Sequence, residues 1–410
     1  MFAKWIIQAW VVCLGLWCPY QTHCLNAGPY DVFHPLIGKQ DAMLIADPQG
    51  TVLFAQNADK PLIPASTLKV FTSLVALYYL GDDHRFVTDF YRDFHGNLKI
   101  KGHGDPLLIS EVVAEIAQSL RTRLHPSVTV SDLVLDDSYF SQPLTIPGIT
   151  SSYQPYDAPN GALCVNFNTV YFRSSSNGYV SAEPQTPLLP LALKKIKTTG
   201  RKSGRILLAH TKKESTLYAG KLFEYFLKKQ GIKTSGTVRL GKVDATRDKL
   251  VFSYHSGFAL EQIIAKLLKY SNNFATNQLL ITAGARAYGP PGNLDKGIKA
   301  ALNYAKTRLH IDDWVIAEGS GISRRNRVTA RHMHKVLEEF APHHHLLRQD
   351  GREYYKTGTL SSINNRAGYI DTPEGLYRFV LFVNTPGKST QPVMQKLLHI
   401  LAQPPDSGNS

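Results

Sequence analysis

Twenty-one residues near the start of the chain, Pro61 to Gly81, carry a single charge, Lys69. Within them, "PASTLKVFTSLVALYYLG" reads as a helix that is apolar on almost every side. A helix without a polar face needs other layers of structure around it, so it belongs in a core. Its lysine is then the anomaly. An ammonium taken out of water is costly unless it is paired or gives up its proton. The competing reading is a lysine that snorkels to the surface from the first turn.

The chain has 410 residues, enough for more than one domain. With 43% hydrophobic and 19% charged residues, it has the composition of a folded protein with a substantial core. No repeat period and no low-complexity run is visible. A net charge of +14 favours anionic partners, whether nucleic acid, acidic lipid headgroups or anionic cell-envelope polymers. The basic stretch "LKKIKTTGRKSGR" (Leu193–Arg205) has no interleaved aromatics and matches no nucleic-acid motif, so no nucleic-acid partner is assigned. It reads as exposed loop or edge-strand surface.

At the N-terminus, Lys4 precedes an apolar run from Trp5 to Cys18. This is the n-region and h-region pattern of a secretory signal. The run is short for a membrane span, which needs about 20 residues. Cleavage after Ala27 fits "CLNAGP", although Leu25 is a poor −3 residue, and an uncleaved anchor stays open. No lipobox precedes Cys18 or Cys24. Cleavage would remove three of the four cysteines and leave Cys164, in "ALCVNF", as a core thiol with no disulfide partner. The mature protein would have no transmembrane span and an extracytoplasmic or periplasmic location.

"DAMLIADPQGTVLFAQN" (Asp41–Asn57) reads as a hairpin around "DPQG". Far along the chain, "EYYKTGTL", "NNRAGYIDT" and "GLYRFVLFVNT" read as three more strands, followed by a helix, "TQPVMQKLLHILAQ". Between about Arg85 and Gly257 strands and turns predominate. After Gly257 helical spacing returns, with Leu260, Ile263, Ile264, Leu267 and Leu268 on one face. These patterns predict an α+β protein: an antiparallel five-stranded sheet made from both chain ends, flanked by helices, with a β-rich insertion. The expected division is a signal peptide over 1–27, a discontinuous domain over 28–84 and 258–403, an insertion over 85–257, and a flexible tail over 404–410.

Ser66 lies three residues before Lys69, so the two side chains share a helix face one turn apart. Pro64 and Ala65 place Ser66 at the helix start, where free N–H groups favour developing negative charge. The pair offers a hydroxyl nucleophile beside an amine that burial would drive toward neutrality. Ser-x-x-Lys alone is a weak signal. A second element is "KTGT", Lys356 to Thr359. Its glycine permits close backbone approach, and its ammonium and hydroxyls suit a carboxylate. The plain alternative is an ordinary strand start. A third is Ser271–Asn272–Asn273, where one amphipathic helix gives way to another. Capping is the plain role for Ser271, and Ser-x-Asn recurs at Ser175, Ser362 and Ser407.

In this order the three elements form the set shared by penicillin-binding proteins and class A β-lactamases. The stretches "LKIKGHGDPLL", "DLVLDDSYF", "EGSGISRRNRVTARHM" and "KTGTLSSINNRAGYI" narrow the likeness. From about Asp41 to Asn384 the chain resembles the D-alanyl-D-alanine carboxypeptidase/endopeptidases, the class C low-molecular-mass penicillin-binding proteins of serine peptidase family S13. The resemblance implies a β-lactamase/transpeptidase-like fold with an insert between the first and second motifs. It implies that Ser66 forms an acyl-enzyme and that Lys69 takes the serine proton. Ser271 would relay a proton to the leaving amine, and Asn273 would hold the substrate amide. Lys356, Thr357, Gly358 and Thr359 would form the carboxylate-binding strand. The implied partners are peptidoglycan stem peptides, with β-lactams as covalent inhibitors. No metal or cofactor is implied. The insert is shorter than the family often shows, the segment before Lys356 is compact, and Glu318 stands where Asp is common.

His343–His345 are consecutive and do not converge on one ion, so no metal site is assigned. Arg324, Arg325 and Arg327 read as a basic surface. Two other function classes stay open from the residues: a β-lactamase or esterase with the same constellation, and a silent peptidoglycan-binding protein that keeps the fold. Rapid turnover of penicillin marks the first. Absence of any penicillin adduct marks the second.

Overall fold

In the computed structural model, residues 28–125 and 129–402 are described. The expected leader and the tail over 404–410 lie outside them. The hairpin expected near the start forms from Asp41–Ala46 and Val52–Gln56. It pairs with strands more than 300 residues away to make one antiparallel sheet. Its order is Arg348–Asp350, Glu353–Leu360, Ile363–Thr372, Gly375–Val383, Asp41–Ala46, Val52–Gln56. The sheet has six strands where five were expected. The extra one is Arg348–Asp350, joined to the next strand by a two-residue turn, Gly351-Arg352, with its glycine at φ +58°.

Every residue of Asp41–Ala46 is buried, because both faces of the sheet are covered. Ala42 and Leu44 face a core shared with Leu68, Val75, Leu279 and Phe340. Met43 and Ile45 face the opposite side, against Phe33, Val393 and Leu397, the latter two from the terminal helix Gln391–Ile400. The all-round apolar helix is Leu68–Leu80, preceded by a 3₁₀ turn, Ala65–Thr67. Leu68 through Leu77 are buried without a gap. The helix packs on Leu260–Tyr270, Asn273–Tyr288, Leu294–Arg308 and Ala330–Phe340, which explains why it carries no polar face.

The middle of the chain builds its own layers. Strands Val238–Leu240, Leu133–Asp136, Leu98–Gly102, Val87–Arg92 and Lys249–His255 form a mixed sheet in that order. Helices Ser110–Arg123 and Lys212–Lys229 close a core over it that includes Phe90, Ile100, Ile116, Leu135, Phe223 and Leu227. A three-stranded sheet, Gly178–Ser181, Thr169–Ser175 and Ser203–Leu207, lies in the same region. The region is therefore richer in helix than its sequence suggested. In particular, much of the basic stretch Leu193–Arg205 is not loop or edge strand but the second half of a helix, Pro190–Thr199. Its Ala192 and Ile196 are buried while its lysines point outward, the amphipathic arrangement of a surface helix.

Asp41, wholly buried, joins the chain ends. Its carboxylate accepts hydrogen bonds from the N–H groups of Gly38, Asn384 and Thr385, from Thr385 Oγ1 at 2.9 Å and from Lys388 Nζ at 2.6 Å. Asn384 in turn accepts from Ile63 N at 2.9 Å, and Asn365 Nδ2 donates to Ile63 O at 2.8 Å. The end of the sheet thus grips the segment just ahead of Ser66. Burial alone would raise the Asp41 carboxyl, but the hydrogen bonds from Lys388 and its neighbours outweigh it and hold the group below the usual range. Asp41→Asn should therefore lower stability by about 2–3 kcal/mol at pH 7. A carboxyl whose folded-state pKa is depressed contributes fully above its unfolded value, near 3.8, and loses that contribution as pH falls through the folded value. The gap between parent and variant in denaturant melts should accordingly close below that pH.

Candidate active site

The site begins with a strained turn. Ala65 has φ +47°, a left-handed conformation that L-residues other than Asn and Asp seldom adopt. Two glycines make room for it. A Cβ on Gly321, itself at φ +81°, would lie 1.9 Å from the Ala65 carbonyl oxygen, and one on Gly358 would lie 2.6 Å from that of Pro64. Thr67 Oγ1 donates to Pro64 O at 2.7 Å and closes the turn. Ser66 is left half-buried, at the entry to the Leu68–Leu80 helix.

Lys69 does not reach solvent. It is 0% exposed, and its Nζ lies 2.9 Å from Ser66 Oγ, 2.7 Å from Asn273 Oδ1 and 2.6 Å from the Ser320 carbonyl oxygen. Burial, reinforced by the charge of Lys356 and opposed by Glu318, holds its amine well below the ordinary lysine range. Two of the three partners are acceptors only. Asn273 Oδ1 and Ser320 O accept from the amine, and the Ser66 hydroxyl is its third partner.

Asn273 opens the helix Asn273–Tyr288. Ser271 ends the previous helix in a left-handed conformation, φ +54°, which sharpens the turn between the two. The cap is Asn272, not Ser271: its Oδ1 accepts from Ala275 N at 2.9 Å. Ser271 is not among the three partners of Lys69 Nζ. It lines a cavity of about 670 Å³ together with Asn272, Asn273 and the side chains of Phe167, Phe258 and Leu267.

The Lys-Thr-Gly-Thr stretch sits within strand Glu353–Leu360 rather than at its start. Lys356 is 4% exposed and donates to Thr357 O at 3.0 Å, and burial pushes its ammonium down to about 8. Thr357 and Thr359 are exposed. Strand Arg348–Asp350 pairs only as far as Tyr355, so on that side the backbone from Lys356 to Leu360 is an open edge. A Cβ on Gly358 would come within 3.2 Å of Ser66 N, so this edge runs directly beside the turn.

The loop after residue 317 supplies a partner that the sequence reasoning missed, the Ser320 carbonyl. Thr72 Oγ1 fixes this loop to the buried helix by donating to Gly319 O at 2.7 Å. The available signal was "EGSG" itself, in which an acid precedes small residues whose N–H groups are free to surround an anion.

Comparison with known proteins gives the family. The D-Ala-D-Ala carboxypeptidase 3 (S13) family matches residues 34–199 and 181–349. The chain belongs to this family. It is a hydrolase of the serine D-Ala-D-Ala carboxypeptidase/endopeptidase type. A D-alanyl-D-alanine carboxypeptidase of Actinomadura sp. is 27% identical over 414 residues, covering 82% of this chain and 76% of the relative. The crystal structure of penicillin-binding protein 4 from Haemophilus influenzae shares the fold, with a TM-score of 0.74 at 20% identity over 92% of this chain and all of that one. A second structure of the Haemophilus protein, complexed with a β-lactam, superposes with a TM-score of 0.65 at 19% identity, over 87% of this chain and 94% of the other.

The turn geometry predicts that Gly321→Ala displaces Ser66. A misplacement of this order costs roughly 100-fold in rate. Acylation kinetics should show that loss while far-UV circular dichroism stays unchanged.

Proposed function

We propose that the S13 reaction in this chain is carried by Ser66 and Lys69, acting on peptidoglycan stem peptides that end in D-Ala-D-Ala. The observation that carries this reading is the wholly buried Lys69 amine, 2.9 Å from a half-exposed serine hydroxyl. As Ser66 Oγ attacks the carbonyl between the two D-alanines, its proton passes to the Lys69 lone pair. The C–O bond forms, and negative charge collects on the carbonyl oxygen. The N–H groups of Ser66 and Thr359 receive that charge, and each such donor is worth about 3–4 kcal/mol. The proton is delivered through Ser271 to the departing amine as the C–N bond breaks. Free D-alanine leaves, or the crosslinked strand in an endopeptidase cut. Water then attacks the acyl-enzyme with Lys69 as its base, and Ser66 regains its proton.

Asn273 has a divided role in this scheme. Its Oδ1 faces Lys69, and its Nδ2 is left to hold the substrate amide. The substrate's terminal carboxylate lies against Lys356, Thr357 and Thr359, with Gly358 keeping the strand close enough to reach. β-Lactams enter the same cleft as carboxylate-bearing mimics and acylate Ser66. Such a substrate places the enzyme outside the cytoplasmic membrane, reached through the N-terminal leader. No helix among the described residues is long and apolar enough to cross a membrane.

Intact-mass measurement after incubation with a fluorescent penicillin tests the nucleophile. The parent should gain one persistent adduct and Ser66→Ala none. Rapid turnover without an adduct would instead indicate a β-lactamase. A peptide ending in D-Ala-D-Ala should be hydrolysed by the parent alone.

The pH profile tests the carboxylate site. Lys356 is cationic below its pKa of about 8 and loses its charge as pH rises through it. The kcat/KM for a peptide with a free C-terminal carboxylate should therefore fall on the alkaline side near that value. A profile flat to high pH would remove Lys356 from carboxylate binding.

A further inference from the structure

Glu318 is a wholly buried carboxylate with no counter-ion in hydrogen-bond reach among the described residues. Its Oε1 accepts from Gly321 N at 2.7 Å, Ser323 N at 3.2 Å and Asn326 Nδ2 at 2.8 Å. Its Oε2 accepts from Ser320 N at 2.7 Å, Ser320 Oγ at 2.6 Å and Asn277 Nδ2 at 3.1 Å. All six partners donate, so the shell is built around an ionised carboxylate, which accepts only. Hydrogen bonds to a buried charge are individually strong, and a fully satisfied network is rigid.

The shell leads to the amine of Lys69 along two paths. Glu318 holds the N–H of Ser320, whose own carbonyl lies 2.6 Å from Lys69 Nζ. Glu318 also holds Asn277, whose Oδ1 accepts from Gly319 N at 2.8 Å. Asn277 stands one turn beyond Asn273 on the same helix, and Asn273 Oδ1 is the other acceptor facing Lys69 Nζ, at 2.7 Å. The Ser320 carbonyl is thus tied to the carboxylate through its own residue, and the helix that carries Asn273 is tied to the same carboxylate one turn further on, at Asn277.

We propose that Glu318 is the positioning residue for Lys69: by fixing Ser320 O and the Asn273 end of its helix, it orients the amine so that its lone pair faces Ser66. The inference rests on the assignment of Ser66 and Lys69 made above. It adds an electrostatic consequence. The charged groups acting on Lys69 are Glu318 from the loop and Lys356 from the strand, while the helix faces it with neutral Asn273 and its own helix with neutral Ser66. Glu318 favours the protonated amine and Lys356 opposes it. Acylation needs the free base, so its rate rises with pH through the pKa of Lys69. Removing the negative charge moves that acid limb to lower pH.

The test is the rate of acylation by a fluorescent penicillin, followed from about pH 5 to 10, in the parent, Glu318→Gln and Glu318→Asp. Glu318→Gln should lose at least about 100-fold on the plateau, with its acid limb displaced to lower pH by roughly half a unit or more. Glu318→Asp keeps the charge and should keep the limb in place while recovering at least about tenfold of the lost rate. A plateau that falls with the limb unmoved in Glu318→Gln would reduce Glu318 to loop scaffolding and overturn the proposal, as would a rate within threefold of the parent. If Glu318→Gln does not fold, Asn277→Ala decides. A loss of tenfold or more at an unchanged melting temperature supports the proposal, and a parental rate overturns it. Labelling of Ser66→Ala would instead sink the underlying assignment, so the two failures are distinguishable.

Discussion

The structure is organised around an amine kept out of water. Lys69 is buried on a helix that is itself surrounded by four others, and its Nζ meets a serine, an asparagine and a main-chain carbonyl. A lysine in that position is tolerable only if the proton can leave or the charge is answered. The three partners answer it in an ordered way. Asn273 Oδ1 and the Ser320 carbonyl accept from the amine, and the third partner is the Ser66 hydroxyl. A destabilised ammonium of this kind is characteristic of functional sites, where perturbed titrating groups gather.

The remaining architecture brings distant segments to that amine. The Ala65 turn is held between two glycines from opposite sides, Gly321 in a loop and Gly358 in a strand, so neither element can shift without moving Ser66. Asp41 and Asn384 tie the sheet to the peptide just ahead of the turn. The second helix pair contributes Asn273 because Ser271 and Asn272 bend the chain sharply between the two helices. The cavity beside this bend is walled partly by the middle region, through Phe167 and Arg205, and partly by Phe258, Leu267 and Tyr270. The middle region thus contributes directly to the wall of the cleft.

Much of this was legible in the sequence because it is local. A lone lysine in an apolar run, a serine one turn earlier and a glycine within a hydroxyl-rich strand are each readable from spacing. The α+β class and the hairpin of Asp41–Gln56 followed from alternation and turn residues. What escaped depends on contacts that no short window contains. Asp41 reads as the first residue of a strand, and only its partners some 340 residues onward reveal a clamp. The Ser320 carbonyl is main chain, and "EGSG" marks its loop without showing that the carbonyl meets Lys69. Helices Ser110–Arg123 and Lys212–Lys229 were hidden inside a region scored as strands and turns, since their apolar stripes alternate with many charges. Arg348–Asp350 escaped because three exposed polar residues give no alternation, although the glycine that follows them, Gly351, is a turn signal.

The sheet register carries one more consequence, for biogenesis. Asp41 pairs with Val383 and Ala46 with Arg378, so an inner strand of the sheet has no neighbour on one side until more than 300 further residues have emerged. Closing so large a loop is entropically slow, and topologies dominated by such non-local pairing fold late. The gripping of Ile63 by Asn365 and Asn384 belongs to the same event. A nascent chain therefore carries Ser66 and Lys69 through more than 300 residues of synthesis before the strands that grip the segment ahead of them exist. The sheet that frames the serine is complete only once Gly375–Val383 has docked on Asp41–Ala46.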